Sequence, residues 1–135
     1  MIQKKVEITC IDTNVLLRFL LEDNPVLYDQ AKKIFEKAGD DLTKVYLDEV
    51  ILAEAIWVLL SVYKLEKQMI CQTMTKFLTV KWLVNPRKKL MIAALALFSK
   101  TKLHYPDCWL YVVANDLGHK IETFDLDLMR LTARK

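Results

Sequence analysis

Residues 6–20 read VEITCIDTNVLLRFL, and this stretch decides the fold class. Val6, Ile8 and Cys10 alternate with polar residues and Ile11 closes the run, which is the pattern of a short β-strand. Asp12-Thr13-Asn14 breaks the alternation and offers N-cap chemistry to a helix carrying Val15, Leu16, Phe19 and Leu20. Strand, polar turn and helix in that order is the unit of an α/β protein.

Outward from that unit the alternation continues. Pro25 opens a second helix with Leu27, Ala31, Ile34 and Phe35 on one face, and Gly39 is its expected C′ stop. Lys44–Leu47 is a candidate strand. A long apolar helix is expected from about Asp48 to Tyr63 and another from Leu65 to Leu78. Val80–Val84 reads as a strand before Asn85-Pro86, and residues 87–100 as a helix with Leu90, Ala93, Ala94 and Leu97 in register. His104-Tyr105-Pro106 is a break, followed by a helix over Asp107–Leu117, a strand over Lys120–Phe124 and a closing helix over Leu126–Ala133. Strands alternating with helices predict a mostly parallel sheet covered by helices, with function gathered at the carboxyl ends of the strands.

The 135 residues are expected to form a single domain, with no repeat or linker to divide it, and 53% hydrophobic content supplies a core. Only Gly39 and Gly118 are glycines, which removes the Gly-rich phosphate loops of P-loop and dinucleotide-binding proteins. Cys10, Cys71 and Cys108 are widely spaced and odd in number, so they make neither a zinc site nor a disulfide framework. They read as small buried hydrophobes in a reducing, cytoplasmic setting. The polar opening MIQKKVE lacks a signal-peptide pattern, and the longest uncharged run, Leu90–Ser99, is too short to span a bilayer. Net charge is +3, spread over short basic clusters such as Lys32-Lys33, Arg87-Lys88-Lys89, Lys100 with Lys102, and Arg130 with Arg134-Lys135. That balance permits nucleic-acid binding without demanding it.

Four acids stand out. Asp12 and Asp125 directly follow expected strands, where they either cap the next helix or act at the sheet edge. Glu54 interrupts the apolar run VILAEAIWVLL, and its helical neighbours Val50, Ile51, Trp57 and Val58 offer no polar stripe. A carboxylate there needs a cation or a donor, so it reads as a metal ligand or a catalytic acid, or else as half of a buried ion pair or a protonated Glu. Asp107 opens CWLYVVA and either complements a helix dipole or shares the same site. Clustered carboxylates repel unless a cation neutralises them, and an all-oxygen set suits Mg²⁺ or Mn²⁺. Such a site favours phosphoryl transfer. The alternatives are thin, since His104 and His119 lie at expected breaks and neither Ser61 nor Ser99 has a nucleophile context.

Asp12-Thr13-Asn14-Val15-Leu16-Leu17-Arg18, Ile51-Leu52-Ala53-Glu54, Pro106-Asp107 leading to Ala114, and Thr123-Phe124-Asp125 together resemble the four ordered motifs of PIN-domain ribonucleases, VapC-type toxins in particular. The resemblance implies a PIN-like three-layer α/β/α sandwich with a short central sheet, and a metal-dependent endoribonuclease. It implies that Asp12, Glu54, Asp107 and Asp125 form the acidic pocket holding Mg²⁺ or Mn²⁺, with Asp127 as an outer ligand. Thr13, Asn14 and Thr123 match polar positions that steady ligands, waters or the phosphate. Arg18, Lys100, Lys102 and Arg130 are the basic residues expected to hold the RNA backbone. The implied partners are an RNA substrate, a VapB-like antitoxin and a second copy of the chain in a homodimer, with no membrane. The family continues past its fourth acid to a short strand; this sequence ends at Lys135 after one helix, so its sheet is expected to lack that edge. Two other readings remain: a catalytically silent PIN-like module that binds RNA or protein, and a phosphatase with Asp12 as nucleophile.

Overall fold

The computed structural model describes residues 5–39 and 42–134; the opening residues read for a signal peptide lie mostly outside these, as does Lys135 of the basic tail. Three strands, β1 (Glu7–Cys10), β2 (Thr43–Tyr46) and β3 (Leu83–Val84), form a parallel sheet in the order β1-β2-β3. Glu7 stands opposite Thr43 and Cys10 opposite Tyr46, while Val45 faces Leu83. Around the sheet lie α1 (Thr13–Leu21), α2 (Pro25–Ala38), α3 (Glu49–Ser61), α4 (Lys67–Leu78), α5 (Lys88–Lys100), α6 (Tyr105–Leu117) and α7 (Leu126–Ala133). This mixed α/β architecture is consistent with a PIN-like α/β/α fold.

Local chemistry sets most of the helix starts. Asp12, Asn24, Asp48 and Asp125 each accept a backbone N–H of the first turn they precede, at 2.9–3.1 Å. Each such cap contributes about 1 kcal/mol. Pro106 falls in the first turn of α6, where its missing N–H costs nothing, so the helix begins at Tyr105 rather than after the proline. Gly118 ends α6 in the left-handed region at φ 70°, a conformation that favours glycine. Gly39 caps α2 in an ordinary right-handed conformation instead of the left-handed stop expected of it.

The core is continuous. Leu16, Val45, Leu47, Leu52, Met74, Leu83, Met91, Leu95 and Leu128 are all essentially inaccessible. Phe19, Phe35, Phe77 and Trp82 form a ring cluster that ties α1 and α2 to α4 and the approach to β3, with Phe19 and Phe35 edge to face at 4.6 Å between centroids. On the other side α5 packs against both α4 and α6.

Two expectations are corrected here. Residues 120–124 form no strand; the chain there is irregular, and β1 is left as an edge with Ile8 57% exposed. A strand needs a ladder partner as well as a suitable pattern, and KIETF finds none among the described residues. Cys10 is exposed, because it sits on this open edge, whereas Cys71 and Cys108 are buried as expected.

Candidate active site

Asp12 follows β1 with an extended backbone, and its Oδ1 accepts the Val15 N–H at 3.0 Å. Its second oxygen has no hydrogen-bond partner among the described residues. Thr13 beside it is buried, and its hydroxyl is also without a partner. Asp12, Asn14 and Arg18 share a cleft of about 170 Å³ between α1 and α2. Arg18 is not a free cation there. Its guanidinium meets both oxygens of Asp23 at 2.9 and 3.0 Å and the Tyr63 hydroxyl at 3.0 Å, and these partners hold its charge more firmly than usual.

Asp125 repeats the arrangement at α7: its Oδ1 accepts the Leu128 N–H at 2.9 Å, and its other oxygen has no partner among the described residues. The Thr123 hydroxyl accepts the Asp125 N–H at 3.0 Å, so Thr123 braces the turn that presents this acid. Asp107 lies half-buried in the first turn of α6. Asp127 pairs loosely with Arg130 at 3.4 Å, and together with Lys102 they line a second cleft of about 200 Å³. Lys100 is exposed and stands apart from that lining.

Glu54 departs from the environment its neighbours suggested. It is exposed, on a stripe of α3 where Val50 and Trp57 are 69% and 62% exposed. Ile51 and Val58 pack partly against the core, but among the described residues nothing covers Val50 and Trp57, and the carboxylate stays solvated. Among the described residues no group of three or more His, Cys, Asp or Glu stands ready to hold a metal ion. The donor chemistry of the motif acids is nevertheless all oxygen, with one uncommitted oxygen each on Asp12 and Asp125, which suits a hard divalent cation.

A polar network absent from the sequence reading occupies the ends of β2 and β3. Asn85, buried after β3, donates to the Leu47 carbonyl at 2.8 Å and to Glu49 Oε1 at 2.7 Å. Its own side-chain oxygen accepts the Arg87 N–H at 2.8 Å, and Arg87 clasps both oxygens of Glu49 at 3.1 and 2.9 Å. The rule that picked out Asp12 and Asp125, a polar residue directly after a strand, would also have found Asn85. Burial pushes the Glu49 carboxyl up, but the hydrogen bonds from Arg87 and Asn85 and the Arg87 charge outweigh it and leave it below the usual carboxylate range.

A carboxyl lowered in the folded state favours folding above its unfolded value, and that contribution is lost as pH falls through the folded one. Wild type and Glu49→Gln should therefore differ in stability at neutral pH and converge in urea titrations carried below about pH 4. A gap that persists unchanged in acid would exclude the Glu49–Arg87 pair as its source.

The sequence matches the PIN domain family over residues 9–134. The chain belongs to the PIN-domain family. Comparison with the curated proteins and with the solved structures gave no significant match. PIN domains are a superfamily of nucleases that generally use divalent metal ions and act on nucleic acids, which supports a nuclease-type role for this chain. In this PIN domain the matched span takes in Asp12, Glu54, Asp107 and Asp125. No helix among the described residues is long and apolar enough to cross a membrane.

Proposed function

We propose that this PIN domain, as a single domain over residues 1–135, is a metal-dependent endoribonuclease and the toxin of a VapBC-type toxin–antitoxin pair. The observation that carries the reading is the family match over nearly the whole chain, taken with the two motif acids, Asp12 and Asp125, presented on capped turns with one oxygen each uncommitted. Asp12, Glu54, Asp107 and Asp125 would hold Mg²⁺ or Mn²⁺, with Asp127 as an outer ligand. A divalent cation bound there supplies charge stabilisation for the phosphate oxygens and eases deprotonation of the attacking water.

The chain's own residues do the positioning. The N-cap bonds fix the Asp12 and Asp125 carboxylates to rigid helix starts, and Thr123 holds the backbone of the second. Asn14, exposed beside Asp12, is a donor for a phosphate oxygen or a water, and Thr13 is buried behind the turn that carries Asp12. Glu54 orients the water or takes its proton. A new P–O bond forms from the water oxygen, the bond to the leaving ribose oxygen breaks, and that oxygen takes up a proton.

The exposed apolar residues Val50 and Trp57 on α3 and Leu110 and Leu117 on α6 support a homodimer, or a face for an antitoxin, since these two helices pack side by side. The free cysteines accord with a cytoplasmic setting.

Purified protein incubated with an RNA pool is expected to cleave it with Mg²⁺ or Mn²⁺ and to stop when EDTA is added. RNA binding without cleavage, unaffected by chelator, would instead favour the silent binding module. A covalent acyl phosphate on Asp12 would favour the phosphatase.

A further inference from the structure

The cleft between the α5–α6 turn and α7 collects three cations, Lys102, Arg130 and Arg134, around one carboxylate, Asp127. Basic residues near helix carboxyl ends commonly serve the helix dipole, as Arg130 and Arg134 can at the end of α7, but Lys102 just beyond α5 is not needed for that task. At the end of α5, Lys67 Nζ donates to the Thr101 carbonyl at 2.6 Å and Gln68 to the Ser99 carbonyl at 2.7 Å. The Thr101 and Ser99 hydroxyls donate to the Leu97 and Ala96 carbonyls, at 2.9 and 2.7 Å.

The cleft's own charges are poorly matched. Arg130 reaches Asp127 only at 3.4 Å, with both side chains more than half exposed, so the pair contributes little. Lys102 and Arg134 have no carboxylate partner among the described residues. Like charges converging on a concave surface repel unless an anion sits between them.

We propose that this cleft, which borders the proposed acidic site through Asp127, is a phosphate subsite for the RNA strand that grips it through Lys102, Arg130 and Arg134. The inference rests on the ribonuclease reading and adds where the strand is gripped. Arg130 and Arg134 lie five and nine residues beyond Asp125 on the same helix, roughly 7 and 14 Å along its axis. A strand held in the cleft is thereby led toward the start of α7. The cleft volume of about 200 Å³ admits a phosphate group and part of its sugar.

The test measures anisotropy of a short fluorescein-labelled single-stranded RNA of mixed sequence, in EDTA, against salt concentration. It compares the parent protein, the double variant Lys102→Gln/Arg134→Gln, and a charge-matched control, Lys32→Gln/Lys33→Gln, on the distant helix α2. All the substituted side chains are on the surface, and thermal melts confirm that the fold is kept. Loss of two phosphate contacts should lower the slope of log affinity against log salt by about 1.4, equivalent to about 25-fold weaker binding at 0.1 M salt. The control should bind like the parent. Equal binding by all three proteins would overturn the subsite while leaving metal-dependent cleavage, measured separately, intact. No RNA binding and no cleavage by the parent protein would overturn the subsite and the ribonuclease reading together.

Discussion

Asp107→Asn should reduce metal-dependent RNA cleavage by about a hundred- to a thousandfold while leaving the fold unchanged. Removing one carboxylate from an acidic pocket forfeits several kcal/mol of charge stabilisation, and each 1.4 kcal/mol is about tenfold in rate. The substitution keeps the size and planarity of the side chain. Its structural cost is limited to the interaction of a first-turn acid with the α6 dipole, on the order of 0.5 kcal/mol. Cleavage assays with Mg²⁺ and Mn²⁺, run beside a thermal melt of both proteins, separate the two effects. Equal cleavage by wild type and variant would show that the activity belongs to a contaminant or that Asp107 stands outside the site.

The second large effect concerns stability. Leu95 is wholly buried in the middle of α5, the helix packed between α4 and α6. Leu95→Ala removes its methyl contacts and leaves a cavity that helices on two sides can only partly close. The expected cost is about 2–5 kcal/mol, a large share of a typical total of roughly 5–15 kcal/mol. For a chain of this length that corresponds to a fall in melting temperature of about 7–18 °C. Calorimetry on wild type and variant checks it, with exposed Lys32→Ala expected to stay within about 0.5 kcal/mol. A loss no larger than that of Lys32→Ala would mean that α5 is not the packed centre of its layer.

Asp12 and Asp125 were legible as candidates because short-range signals mark them. Asp12 and Asp125 were picked out by position after an expected strand, and both do present a carboxylate at the turn into a helix. They also perform the capping that was the competing explanation, through one oxygen each, which leaves the other available for the proposed site. The Glu49–Asn85–Arg87 network was not legible: its hydrogen bonds join residues 36 and 38 positions apart, and no local pattern announces them. The capture of Arg18 by Tyr63, 45 positions away, is of the same kind.

The sequence by itself determined the order of strands and helices and most of their boundaries. Apolar periodicity and N-cap acids act within one or two turns of chain, so their effect is written in the neighbouring residues, although α6 begins inside the stretch read as a break before it. Only the tertiary structure decided which expected elements found partners and which faces stayed bare. Among the described residues, 120–124 carry a strand's pattern without a ladder partner, and Glu54 stands in solvent beside Val50 and Trp57, which nothing covers. The gathering of Lys102, Arg130 and Arg134 into one cleft likewise depends on how α7 closes over the α5–α6 turn. Pairing, covering and convergence are properties of distant segments brought together by burial, and a local pattern holds no record of which segment will arrive.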